Sequence, residues 1–194
     1  MRRSSLFVIL MFISNIFLLI NETDMVNGDV LTVAKDGSGM YTSIQDAIDD
    51  ASEGDEITIS SGIYVESLDI RTPGLTLIGD GSSDTKIFSD GSAVYTIAIQ
   101  SNNVTISGLE INGHVGVLNN GDDVRIHNST MSQRGIIEAS STHILLSDRV
   151  TVENCSIIMM SIEECEHVIL KNNQFKYGLY LDGDTVQRRS SHTI

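Results

Sequence analysis

Basic residues are scarce in this 194-residue chain: 12 Lys and Arg stand against 26 Asp and Glu, a formal net charge of −14. Such a surface repels nucleic acid and anionic lipid. The partners it permits are cations, neutral glycans and basic proteins. Long apolar runs are missing except for Leu6 to Ile20, which follows Arg2 and Arg3 and is broken only by Ser14 and Asn15. That run is short for a membrane span of about 20 residues, and its basic start and apolar middle fit an export signal. No small-x-small pair follows Ile20, so residues 1–20 read as a signal peptide or a signal anchor. The expected location is secreted, periplasmic or cell-surface, with membrane contact only if the segment stays uncleaved. Proline occurs once, at Pro73, and cysteine twice, at Cys155 and Cys165.

What is present instead is a recurring phrase. It reads Asn-Val-Thr-Ile-Ser-Gly-Leu-Glu-Ile from Asn103, Asp-Val-Arg-Ile-His-Asn-Ser-Thr-Met from Asp123, Arg-Val-Thr-Val-Glu-Asn-Cys-Ser-Ile from Arg149 and His-Val-Ile-Leu-Lys-Asn-Asn-Gln-Phe from His167. Val104, Val124, Val150 and Val168 are then 20, 26 and 18 residues apart, a period that signals stacked structural repeats. Apolar residues alternate within each copy, the mark of a strand buried on one face. Gly108, Asn128, Asn154 and Asn172 follow at one fixed phase. Gly and Asn tolerate the left-handed backbone of a tight corner. Alternation resumes at Leu109/Ile111, Ser129/Met131, Cys155/Ile157 and Asn173/Phe175, so a second strand follows the corner. A third short segment is expected at Gly116-Val117, Gly135-Ile136 and Gly178-Leu179. Three strands and three corners in about 20 residues make one coil of a parallel β-helix, each coil resting on the last at ~4.8 Å. An antiparallel sandwich would need hairpin turns such as Asn-Gly and would not hold Asn at one phase of three successive repeats. Cys155 and Cys165 lie about half a coil apart, too far for a disulfide, and Cys155 at an inward position reads as a small buried hydrophobe.

Residues 30–54 are expected to form an N-terminal cap. Val30 to Val33 is a strand, and Thr42 with Gln45 forms a capping box. Ile44, Ala47, Ile48 and Ala51 then line one face of a short helix. Such a helix would cover the open apolar end of the coil stack. Residues 55–186 carry the coils: Ile57/Ile59, Leu68/Ile70, Leu75/Leu77 after the Pro73-Gly74 turn, Ile87, then Tyr95/Ile97/Ile99. The 26-residue interval holds an insertion near Ser140 to Asp148, a possible binding loop. Val186 should open another coil, but Arg188 falls at an inward position and residues 187–194 form an atypical basic tail. A truncated family member, or an end-to-end partner at an uncapped C-terminal coil, would explain that break.

The segment Val33-Ala-Lys-Asp-Gly-Ser-Gly-Met-Tyr-Thr-Ser-Ile-Gln-Asp-Ala-Ile-Asp-Asp-Ala51, followed by Gly62-Ile-Tyr-Val-Glu-Ser-Leu-Asp-Ile70, resembles the N-terminal part of pectinesterases within the pectate-lyase-like superfamily. The later repeats resemble generic exported β-helix proteins named after a periplasmic copper-binding accessory protein. The first resemblance covers roughly 40 residues and implies an all-β, single-stranded, right-handed parallel β-helix with an N-terminal capping helix. Tyr64 and Glu66 fall on motif positions that are structural. Pectinesterases place two aspartates, an arginine and glutamines within Gly-Thr-Val-Asp-Phe-Ile-Phe-Gly and Leu-Gly-Arg-Pro-Trp stretches. Neither occurs here and the chain has no Trp, so no catalytic residue carries over.

Candidate chemistry is correspondingly thin. Asp49/Asp50, Asp122/Asp123 and Glu163/Glu164 are adjacent in sequence, but neighbours on a strand face opposite ways. Asp80, Asp84, Asp90 and Asp122 are oxygen ligands at loops and corners and could hold Ca²⁺, the one cofactor the pattern suggests. His114, His127, His143 and His167, with Met131, Met159 and Met160, invite thoughts of copper, yet the histidines share no repeat phase. Sequons stand at Asn21, Asn103, Asn128 and Asn154. Asn128 and Asn154 are expected to face inward as a ladder, which would leave Asn103 exposed. Two functions fit: a non-catalytic module binding polysaccharide or a surface protein, or a carbohydrate-active enzyme whose catalytic coils are missing.

Overall fold

The computed structural model describes residues 28–119, 121–132 and 142–182. Strand β1 (Val30–Val33) and helix α1 (Ile44–Asp50) come first. Four coils follow, each of three strands: β2 (Glu56–Ile59), β3 (Gly62–Val65) and β4 (Leu68–Ile70); β5 (Thr76–Gly79), β6 (Thr85–Phe88) and β7 (Ile97–Ile99); β8 (Thr105–Ser107), β9 (Glu110–Asn112) and β10 (Val115–Leu118); β11 (Arg125–His127), β12 (Thr130–Ser132) and β13 (Thr142–Leu145). In two further coils the second and third strands fuse, giving β14 (Thr151–Glu153) with β15 (Ser156–Glu163), and β16 (Ile169–Lys171) with β17 (Gln174–Asp182). All pairings between these strands are parallel. One sheet runs β1-β2-β5-β8-β11-β14-β16, while β3-β6-β9-β12 and β4-β7-β10-β13 meet the two halves of β15. The molecule is a right-handed parallel β-helix.

The valine-led phrases lie directly above one another. Ile106 pairs with Ile126, Ile126 with Val152 and Val152 with Leu170. The amides of Arg125, Thr151 and Ile169 each donate to the carbonyl of the valine one coil below at 2.8 Å. Val104, Val124 and Val150 are buried to 1% exposure or less, and Val168 in the last coil to 7%. Two further apolar columns complete the core: Tyr64, Ile87, Ile111, Met131 and Ile157; and Ile70, Ile99, Val117, Ile144 and Ile162. Each full burial of such a side chain contributes about 1.5–3 kcal/mol.

Left-handed backbone marks the corners in three columns. Gly108, Asn128, Asn154 and Asn172 have φ of 70°, 51°, 54° and 51°. Their side chains do not form an inner ladder: all three asparagines are exposed, and Asn172 Nδ2 donates to Asn154 Oδ1 at 3.3 Å on the outside. The left-handed turn throws the side chain outward. The inward polar contacts belong to the next residue, where the Cys155 amide donates to Asn173 Oδ1 at 2.9 Å and Asn173 Nδ2 to the Val152 carbonyl at 2.8 Å. A second column, Gly74, Asn103, Asp123, Arg149 and His167, precedes the valine position, and a third holds Asn119, Leu146 and Glu164. Gly108 has a reason of its own. A Cβ there would stand 2.5 Å from the Gly79 carbonyl oxygen, and one on Gly79 would stand 2.5 Å from that of Gly108.

Three further expectations are corrected. The third strand of the fourth coil is β13, with Gly116 beside His143 and Val117 beside Ile144. Thr142–Leu145 therefore belongs to the stack and not to an inserted loop, whereas Gly135-Ile136 and Ser140 lie outside the described residues. Gly178 pairs with Met159, and it is Leu181 that continues the Val117 column through Ile162. At the cap, Ser43 and not Thr42 is the helix N-cap, accepting from the Asp46 amide. The reciprocal acidic partner comes from the first coil: Glu66 Oε2 accepts from the Ile44 amide, the Gln45 amide and Ser43 Oγ at 2.9–3.1 Å. Gln45 instead reaches Asp69, its Oε1 accepting from the Asp69 amide at 2.9 Å. Val186, Arg188 and the 187–194 tail lie outside the described residues. Among those described, no helix is long and apolar enough to cross a membrane.

Candidate binding face

The third strand of each coil turns two residues inward and one outward between them. The outward column, read from the capped end, is Asp69, Ala98, Gly116, His143, Ser161 and Tyr180. Small residues in the second and third coils leave room, and Tyr95 fills it. A Cβ on Gly116 would sit 2.7 Å from the Tyr95 ring, so glycine is what lets the phenol approach the strand this closely. Tyr95 also meets the His143 ring edge-on, centroids 6.0 Å apart at 77°, within the range of favourable aromatic pairs. The His114 ring also approaches that of His143, centroids 6.2 Å apart and tilted at 50°. Ser161 Oγ lies 3.0 Å from His143 Nδ1, which holds the imidazole against the sheet. Asp69 ends the column, bound by Arg71 Nε at 2.8 Å.

The alternation Tyr95/Ile97/Ile99 puts Tyr95 in line with the two inward isoleucines, but the structure places it on the outer face. The strand begins only at Ile97, so the alternation cannot be extended back across the preceding turn. The approach of His114 to His143 was also missed, because the register across the long interval before Thr142 could not be counted from the sequence. A large aromatic in a Ser-rich turn was the one available signal.

The four aspartates expected as calcium ligands are not brought together. Asp80 Oδ2 accepts from the Ser61 amide at 2.8 Å, and Asp84 Oδ2 from Ser83 Oγ at 2.9 Å. Asp90 Oδ1 accepts from Ser67 Oγ, Ser92 Oγ and the Ser92 amide, and these donors, Ser67 foremost, pull its pKa down to about 2. Asp122 Oδ1 accepts from the Asp148 amide at 2.7 Å, tying two coils together. Among the described residues, no three His, Cys, Asp or Glu side chains form a group able to hold a metal ion. Both cysteines are buried thiols, and burial pushes them up from the ordinary range.

A family model described as Pectinesterase matches residues 30–158. The chain belongs to the pectinesterase family. Over 61 residues it is 44% identical to the probable pectinesterase/pectinesterase inhibitor 17 of Arabidopsis thaliana, covering 30% of this chain and 12% of that protein. Pectin methylesterase PemA from Erwinia chrysanthemi superposes with a TM-score of 0.55 at 19% identity, over 73% of this chain and 54% of that one. A pectin methylesterase in complex with hexasaccharide VII gives 0.52 at 15% identity, over 79% and 66%. At such identities the likeness speaks for the fold, and the chain spans about half the length of PemA.

Proposed function

We propose that this chain is an exported, non-catalytic module of the pectinesterase family that binds a neutral, methyl-esterified polysaccharide along the outer face of β4, β7, β10, β13 and β15. The observation that carries the reading is the composition of that face: Tyr95, His114, His143 and Ser161 gather there, and the outward column itself holds one carboxylate, Asp69, already bound by Arg71. Ring faces pack against the C–H surface of a sugar, while imidazole and hydroxyl groups exchange hydrogen bonds with its hydroxyls. A net charge of −14 disfavours de-esterified polyuronate and leaves the esterified polymer as the better ligand. The Gly-Thr-Val-Asp-Phe-Ile-Phe-Gly and Leu-Gly-Arg-Pro-Trp stretches are absent from these 194 residues.

A second reading, an enzyme whose catalytic coils lie outside this sequence, is favoured by the coverage of only 54% of PemA. One experiment separates the two. The purified chain is run through gels containing highly esterified pectin or polygalacturonate, and methanol release from the pectin is followed in parallel. Retardation by esterified pectin, lost in Tyr95→Ala, with no methanol released, supports the binding module. Methanol release supports the enzyme, and migration unaffected by either polymer refutes a polysaccharide role on this face.

A further inference from the structure

We infer that the exposed corner asparagines Asn103, Asn128 and Asn154 are N-glycan acceptors, and that a folded molecule carries a glycan on Asn103 and on at most one of Asn128 and Asn154. The inference rests on the expectation of export from the N-terminal segment. Each of the three opens an Asn-x-Ser/Thr sequon: Asn103-Val104-Thr105, Asn128-Ser129-Thr130 and Asn154-Cys155-Ser156. All three have left-handed backbone, φ 51–56°, and exposed side chains. The middle residue of each sequon, Val104, Ser129 or Cys155, is buried and anchors the corner, so the asparagine amide is presented away from the core.

The geometry also limits occupancy. The Asn128 amide donates to the Glu153 carbonyl at 3.2 Å, next to Asn154, so these two corners are one rung apart. Successive rungs are only ~4.8 Å apart, about the width of one sugar ring, and a glycan on each would compete for the same space. Asn103 belongs to the other corner column, with Asp123 directly above it, and no second sequon adjoins it.

The test is secretion of the full chain from a eukaryotic host that N-glycosylates, followed by glycopeptide mapping of the folded, monodisperse fraction. Expected are glycan on Asn103 and, across the population, glycan on Asn128 in some molecules and on Asn154 in others, never on both in one. Asn103→Gln should lower the maximum glycan count at these three positions from two to one, whereas Asn128→Gln should leave it at two. Thr105→Ala, which keeps Asn103 but removes the sequon, should match Asn103→Gln. An unmodified Asn103 in secreted protein, or folded molecules with glycan on both Asn128 and Asn154, would overturn the proposal. Failure of the chain to enter the secretory pathway would overturn the export premise and the proposal with it, leaving the polysaccharide reading to be judged by its own gel assay.

Discussion

The capped end and the far end of the stack are built by different means. In the first three coils the large inward side chains are Ile, Leu, Val and Tyr, buried to 2% exposure or less, with Thr85 and Thr96 buried among them. Glycine takes most of their left-handed corners, as at Gly74 and Gly108, with Asn103 and Asn119 at the start and end of the third coil, and Glu66 staples the capping helix to the first coil. Beyond Gly113 the inside admits Ser129, Thr142, Cys155 and Asn173, and the corners are held by Asn, Asp, Arg, His, Leu and Glu in left-handed conformations. Side chains outside the stack compensate: Arg149 forks onto Asp123 at 2.6 and 2.8 Å, and also binds Asp148, which in turn meets His167 at 3.0 Å. A β-helix thus tolerates weak inner rungs where corner amides and cross-coil ion pairs repeat in register. It needs close-packed aliphatics where the stack begins.

Several substitutions would break that contrast. Largest is Ile106→Ala, expected to cost about 4 kcal/mol in chemical unfolding, against about 1–2 for Leu170→Ala in the same column of the half-exposed last coil. Equal costs would mean the two ends are packed alike. Gly108→Asn comes next: although Asn occupies the equivalent corner of the next coil, the Gly79 carbonyl leaves no room for a Cβ, and a loss of about 2–3 kcal/mol is expected. Asn128→Gly should stay within about 0.5 kcal/mol of the parent. Glu66→Ala strips a charged acceptor from two helix amides and a hydroxyl, for about 2 kcal/mol, with early hydrogen exchange of residues 44–50 as its signature. Smallest among the truncations is Arg149→Ala. Its ion pairs are about half exposed, so the expected loss is below ~1 kcal/mol and vanishes in high salt.

Much of the architecture was legible in the sequence because inward alternation has a fixed period, and Val104 to Val168 could be aligned without knowing any corner. Direction at the corners was not legible. Asn128 and Asn154 sit between two inward runs, and only the left-handed φ decides that they leave the core. The binding face was hidden for a different reason: Tyr95 belongs to a turn, and His143 to a strand whose register depends on nine residues of interval that no pattern spans. Asp90 and Asp122 stand at oxygen-rich corners that the sequence marks by composition, while the local amides and hydroxyls their carboxylates accept from become visible only in the fold. A pH titration followed by carboxyl ¹³C shifts sharpens this point. Asp90 is held at about 2, so its contribution to stability is present above pH ~4 and is lost as pH falls through about 2; Ser67→Ala should move its midpoint upward.

Everything above depends on the coils stacking in one parallel register. Its most direct test is pulsed electron–electron spacing between spin labels on Ile169 and, in turn, Thr76 and Glu56, which lie four and five rungs away in the first sheet. At ~4.8 Å per rung the backbone separations should rise from about 19 to about 24 Å. Distances that fail to lengthen by one rung between the two pairs, or that place Glu56 closer to Ile169 than Thr76, would contradict the stack.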